Sequence, residues 1–233
     1  MEKSKIRKRV WSLMEERDVA RFPRPVEGRI PNFEGAGKAA ERVDELPVYR
    51  EATHIKVNPD SPQHPLREKV IRDGKILYMP TPRLKEGFLR IKPEDVPSGK
   101  EGEATTIKHS SEYGEKVDPE EMEKVSLVVA GSVAVTRDGK RVGKGGGYSD
   151  LEYAILREMG LGKPPVLTTV HPTQIMEKIP AEDHDVPLDW ILTPGEAIET
   201  STDRGKPDGI DWSLLGEEDL EKIPLLKRMK NRV

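Results

Sequence analysis

The chain has 233 residues, and its 39 Lys and Arg against 42 Asp and Glu leave a net charge of −3, which excludes a basic nucleic-acid coat protein. The absence of cysteine removes disulfides, thiolate nucleophiles and Cys-ligated zinc or iron–sulfur centres. No run approaches the roughly 18 apolar residues that span a bilayer, the N-terminus lacks a signal peptide's apolar core, and a 35% charged fraction of mixed sign suits thermophilic ion-pair networks, so a soluble cytoplasmic protein from a thermophile is expected.

Residues 3–18 read as a helix, with Ile6, Val10, Leu13 and Met14 on one stripe. Lys3 falls inside that apolar arc and Arg7 at its edge. Two such cations either snorkel around the rim of the core or face an anionic ligand. Residues 22–35 hold three prolines and two glycines and read as an ordered surface loop. Helical spacing returns over 36–46, followed by a strand at 54–57, a helix at 65–73 and a strand at 75–79, an α/β alternation. Residues 95–122 are polar and turn-rich, either an excursion at the sheet edge or a lid. The run SLVVAGSVAV, residues 126–135, predicts a central strand buried on both faces. From Tyr148 the positions Leu151, Ala154, Ile155 and Met159 return to helical spacing. Strands are expected at 165–170 and 186–193, and residues 200–233 as a charged C-terminal extension, with a helix over 214–229, to a domain of residues 1–199.

Between the strand and that helix lie Gly143, Lys144, Gly145, Gly146 and Gly147. Such a loop lets backbone amides approach a polyphosphate and aims a helix N-terminus at it, although a plain tight turn has the same composition. It is not a Walker loop, and Tyr148 occupies the third glycine position of the dinucleotide fingerprint. Arg141, Lys144 and Asp150 around it favour phosphate with a metal. A second cluster, Glu182, Asp183, His184 and Asp185 followed by Asp189, offers oxygen ligands for magnesium or is a solvated acidic loop. The five histidines have no zinc-ligand spacing.

The stretch from Arg141 to Asp150, RVGKGGGYSD, preceded by LVVAGSVAVTRDGK, resembles the nucleotide-binding signature of the 5-formyltetrahydrofolate cyclo-ligase family. KIPAEDHDVPLDWILT resembles that family's closing segment, and Lys3 with Arg7 matches its N-terminal K-x-x-x-R helix. The segments VWSLMEERDVARFPRPVEGRIPNFEGAGKAAERV, IKVNPDSPQHPLR and MPTPRL are closer still to the methenyltetrahydrofolate synthetase domain-containing members.

The resemblance implies an α/β fold of three layers, αβα, with a mostly parallel sheet, and an ATP- and magnesium-dependent conversion of 5-formyltetrahydrofolate to 5,10-methenyltetrahydrofolate. It implies that Lys3, Arg7, Arg141, Gly143, Lys144, Gly145, Gly146, Gly147 and Tyr148 hold the nucleotide, and that Asp150 and Asp185 hold Mg2+. Arg141, Lys144 and Tyr148 are then the catalytic candidates, with Asp60 and Tyr148 facing a reduced folate. Two positions depart from the family: Ser149 stands where a second aromatic is usual, and Asp60 where a glutamate contacts substrate. They leave room for an ATP-dependent enzyme acting on another formylated or heterocyclic molecule. A non-catalytic nucleotide- or RNA-binding relative is the third reading, carried by the basic ends Lys3–Arg9 and Lys227–Arg232. The net charge argues against it, and neither membrane nor nucleic acid is an expected partner.

Overall fold

In the short strands, side chains alternate between two faces with a period of two, and this sorts the apolar residues into two layers. The computed structural model describes residues 1–231; Arg232 and Val233, at the end of the C-terminal extension, lie outside the described residues. Helix α1 is Lys3–Glu16. The sheet strands are β1 (His54–Val57), β2 (Ile76–Pro80), β3 (Phe88–Ile91), β4 (Glu115–Val117) and β5 (Leu127–Val129). The hairpin strands β6 (Ala134–Val135) and β7 (Arg141–Val142) follow, and then β8 (Val166–Thr169), β9 (Trp190–Leu192) and β10 (Ala197–Glu199) complete the sheet. Helix α2 is His64–Arg72 and α3 is Tyr148–Glu158. The sheet order is β10-β9-β8-β5-β1-β2-β3-β4. Its five central strands are mutually parallel, as the α/β alternation predicts, and its edge strands pair antiparallel.

Ile55, Val57, Leu77, Leu127, Val129 and Leu167 pack on one face beneath Leu66 and Val70 of α2. Tyr78, Val128, Val166 and Ile191 pack on the other against Tyr153 and Ile155 of α3, which makes three layers. Helix α1 buries Ile6, Val10, Trp11 and Met14 against Val26, Ile30 and Phe33 of the proline-rich loop and against Val133, Ala134 and Val142 of the hairpin. Trp11 takes the place expected of Leu13, which is half-buried.

The apolar run 126–135 is not one strand. The sheet keeps Leu127–Val129; Gly131 and Ser132 then turn away, the Ser132 hydroxyl meeting that of Thr168 at 2.8 Å, and Ala134–Val135 pairs with Arg141–Val142 instead. Residues 95–122 hold the short helices Glu101–Ala104 and Ser110–Tyr113 as well as the edge strand β4. The C-terminal segment forms helices α4 (Glu217–Lys222) and α5 (Pro224–Lys230), and Leu225, Leu226 and Met229 enter the core beneath α3. Among the described residues no helix is long and apolar enough to cross a membrane.

Candidate active site

Parallel strands deliver the loops at their carboxyl ends to one edge of the sheet, where open α/β folds place ligands. Here β1 delivers Asn58 and Asp60, β2 delivers Thr81 and Arg83, and β5 delivers Gly131. All of them line a cleft of about 570 Å³ whose other wall is the 143–147 loop and the start of α3. A second cleft of about 840 Å³ opens on the far side of the same loop, lined by Lys3, Arg7, Asp185 and the segment from 207 to 223. The two clefts share Arg141, Gly143, Gly146, Gly147, Tyr148 and Asp150.

The turn into α3 depends on glycine. Gly147 caps the helix with φ 68°, a left-handed conformation that costs other residues strain. Gly131 meets a different constraint, because a Cβ there would lie 2.8 Å from the Asp60 carboxylate.

The candidates read from the sequence meet in pairs. Lys3 donates to both Asp185 oxygens at 2.7 and 2.8 Å and to Glu182 at 3.2 Å. Arg7 donates from Nε to the Gly143 carbonyl at 2.7 Å, and its guanidinium lies along Gly145. Burial lowers the Arg7 pKa while Asp185 opposes that shift. Lys3 and Arg7 therefore face the cleft, while Lys5, Lys8 and Arg9 of the same helix are exposed to water. Arg141 is buried; it donates to the Gly131 carbonyl at 2.8 Å and to both Asp150 oxygens at 2.7 and 2.8 Å. Asp150 also accepts the Val186 amide at 3.0 Å, which ties it to the residue after Asp185. Lys144 reaches across the first cleft to Asp60 at 2.9 Å. Tyr148 lines both clefts. The ligand atoms of Glu182, His184 and Asp185 lie within 4.8 Å of one another. Asp189 stands apart from them: it accepts the Val166 amide at 2.6 Å and pairs with Lys206 at 2.7 Å, a structural role at the start of β9.

Three buried residues are not among the candidates read from the sequence: Asn58 and Glu152, which line the first cleft, and Lys56 beneath them. Lys56, with 0% of its surface exposed, makes a very short hydrogen bond to Glu152, and Asn58 donates to the same carboxylate at 3.0 Å. The Asn58 amide oxygen in turn accepts from Ser149 at 3.1 Å. The signals were present. Lys56 interrupts the apolar strand between Ile55 and Val57 and so faces α3, while Glu152 stands four residues after Tyr148 and three before Ile155, on the helix face turned to the sheet. Arg67 is the other omission. Fully buried, it donates to the carbonyls of Asn58, Asp60 and Thr105 at 2.7 to 2.9 Å, binding the 95–122 segment to the cleft, and burial lowers its pKa to about 10.

Cations, loop amides and carboxylates at a junction of two clefts suit positioning and charge neutralisation, the protein's main task in phosphoryl transfer.

Residues 1–194 match the profile of the 5-formyltetrahydrofolate cyclo-ligase family. The chain is 44% identical over 240 aligned positions to the methenyltetrahydrofolate synthase domain-containing protein of Mus musculus, covering 99% of this chain and 63% of that one. It is 26% identical over 155 positions to the 5-formyltetrahydrofolate cyclo-ligase of Escherichia coli K12, covering 64% and 79%. It thus spans about six-tenths of the length of the first of these relatives. Among solved structures, the 5,10-methenyltetrahydrofolate synthetase of Aquifex aeolicus superposes with a TM-score of 0.55 at 20% identity, over 88% of this chain and 96% of that one. The corresponding protein of Mycoplasma pneumoniae gives 0.51 at 15% identity, over 82% and 98%. At these identities the likeness is one of fold.

Proposed function

The chain belongs to the 5-formyltetrahydrofolate cyclo-ligase family, and we propose that it converts 5-formyltetrahydrofolate to 5,10-methenyltetrahydrofolate with ATP and magnesium. The observation that carries this reading is the shared border of the two clefts: Arg141, the glycine loop, Tyr148 and Asp150 stand where two bound molecules would meet. Phosphoryl transfer between bound partners needs one such junction.

The nucleotide belongs in the cleft of Lys3 and Arg7, where cations and loop amides meet its phosphates, and the reduced folate in the cleft of Asp60. When bound, ATP supplies the phosphoryl group that activates the formyl oxygen, so that N10 closes onto the formyl carbon and phosphate leaves. Arg141 is held rigid by Gly131 and Asp150 and presents fixed positive charge at the junction. Lys144 is anchored on Asp60 and holds a second cation on the substrate side. Asp150 and Asp185 would hold magnesium: the Val186 amide bonds the Asp150 carboxylate one residue after Asp185, and the ion asks for only one or two carboxylates beside phosphate oxygens. Lys3 and Arg141, already on those carboxylates, would share the phosphates with it.

One observation favours a second reading. The Ser149 hydroxyl is engaged with Asn58 where the family resemblance places an aromatic ring, so the floor offers polar groups suited to a different formylated heterocycle. Both readings are tested by incubating the protein with ATP, magnesium and 5-formyltetrahydrofolate while following methenyltetrahydrofolate absorbance and ADP together. Equimolar product and ADP support the first. ADP released only with other formylated heterocycles supports the second, and no ADP with any of them contradicts both.

A further inference from the structure

The second cleft joins two chemistries. Its floor is glycine-rich and carries Lys3, Arg7 and Arg141 beside the carboxylates Asp150, Glu182, Asp183 and Asp185, whereas its far wall comes from residues 207–223, beyond residue 194 where the family match ends. That wall presents Ile210, Leu214, Leu215 and Ile223, facing Leu151 and Ala154 of α3, and beside them the polar groups of Asp208, Asp211, Asp219 and Lys222. Leu214 ends the single turn Trp212–Leu214 and is 55% exposed. The turn itself is fixed, since Asp211 accepts the Ser213 amide at 3.1 Å and the Ser213 hydroxyl at 2.6 Å. Packing of the segment does not require an apolar residue at 214, because Leu225, Leu226 and Met229 anchor it in the core.

We propose that the C-terminal segment is the nucleoside-binding wall of this cleft, with Leu214 and its apolar neighbours receiving the base of the triphosphate whose phosphates lie on the 143–147 loop. The inference rests on the ATP reading above. A nucleoside triphosphate is polyanionic at one end and at the other carries a flat base with apolar faces and polar edges; the cleft sets Lys3, Arg7 and the loop amides at one end and Leu214, Leu215 and Ile210 with the polar Asp208, Asp211 and Asp219 at the other. Its volume of about 840 Å³ lies within the range of small-molecule sites. An exposed leucine on a rigid turn beside an anion site loses its contact with water when a base covers it.

The test uses the full chain and two probes, MgATP and magnesium with inorganic triphosphate, titrated calorimetrically into wild type, Leu214→Ser and Arg7→Ala. Leu214→Ser is expected to weaken ATP about fivefold, with triphosphate affinity and melting temperature unchanged. Arg7→Ala is expected to weaken both probes. If Leu214→Ser leaves ATP affinity unchanged, or weakens both probes alike, the wall assignment is overturned while ATP stays on the loop. A wild-type chain that binds neither probe removes the ATP reading, and this inference with it.

Discussion

Lys56 is shut away from water beneath α3, and the Glu152 carboxylate is the charge that balances it. Burial pushes the Glu152 pKa up, and Lys56 pulls it back. Desolvating two charges costs as much as their attraction returns, so the pair is a weak source of stability but an expensive one to break. Glu152→Gln leaves the ammonium uncompensated and is expected to lower unfolding free energy by about 3–5 kcal/mol in chemical denaturation. The double variant Lys56→Met, Glu152→Leu should recover most of that loss. It should still raise the Michaelis constant for the folate, because Glu152 lines the first cleft. At this scale the sequence is only half legible. Lys3, Arg7, Arg141, Asp150 and Asp185 stand in recognisable local motifs. Lys56 and Glu152 are 96 positions apart, and only the folded sheet brings them together.

Among the elements, the loop entering α3 carries the most specific demand. A Cβ on Gly147 would meet nothing within 4 Å, so Gly147→Ala perturbs the backbone alone. Holding alanine at φ 68° costs about 1–2 kcal/mol, or the loop relaxes and its amides move. The Michaelis constant for ATP should therefore rise, and that for the folate, whose cleft also borders Gly147, should rise with it; steady-state kinetics with each substrate varied in turn checks both. The turn Pro172–Gln174, which lies against α1, is capped by His171, whose Nδ1 accepts the Thr173 amide at 3.1 Å. Burial lowers the His171 pKa below its usual 6.5; Arg17 and Arg21 act in the same direction and Glu34 opposes them. The folded chain thus binds this proton less tightly than the unfolded chain. Stability from the cap is complete above pH 6.5 and declines as pH falls below it. Melting temperatures at about pH 7.5 and about pH 5.5 should show a larger drop for wild type than for His171→Asn, which keeps a neutral acceptor. The strands near 54–57, 75–79, 165–170 and 186–193 are marked in the sequence, whereas Phe88–Ile91, Glu115–Val117, Arg141–Val142 and Ala197–Glu199 are not, and 126–135 is expected as one strand but is two. Its apolar pattern continues across Gly131, but the approach of Asp60 to that glycine and the Ser132–Thr168 contact turn the chain out of the sheet.

For the molecule as a whole, layering follows from the α/β alternation and is readable in the sequence. The meeting of two clefts is not, because it depends on five parallel strands ending at one edge and on a C-terminal segment whose charge hides its apolar anchors. That segment is integral to the core. A chain ending at residue 199 loses the burial of Ile223, Leu225, Leu226 and Met229 and is expected to lose more than ~5 kcal/mol of stability, read by denaturant unfolding. The central claim is that a phosphoryl group crosses the junction at Arg141 and the glycine loop to the formyl oxygen. Its most direct measurement uses 5-formyltetrahydrofolate labelled with ¹⁸O in the formyl group and mass analysis of the released phosphate. The account predicts one labelled oxygen in each phosphate formed per methenyltetrahydrofolate. Methenyltetrahydrofolate formed with unlabelled phosphate, or ATP cleaved with the label still on the folate, would contradict it.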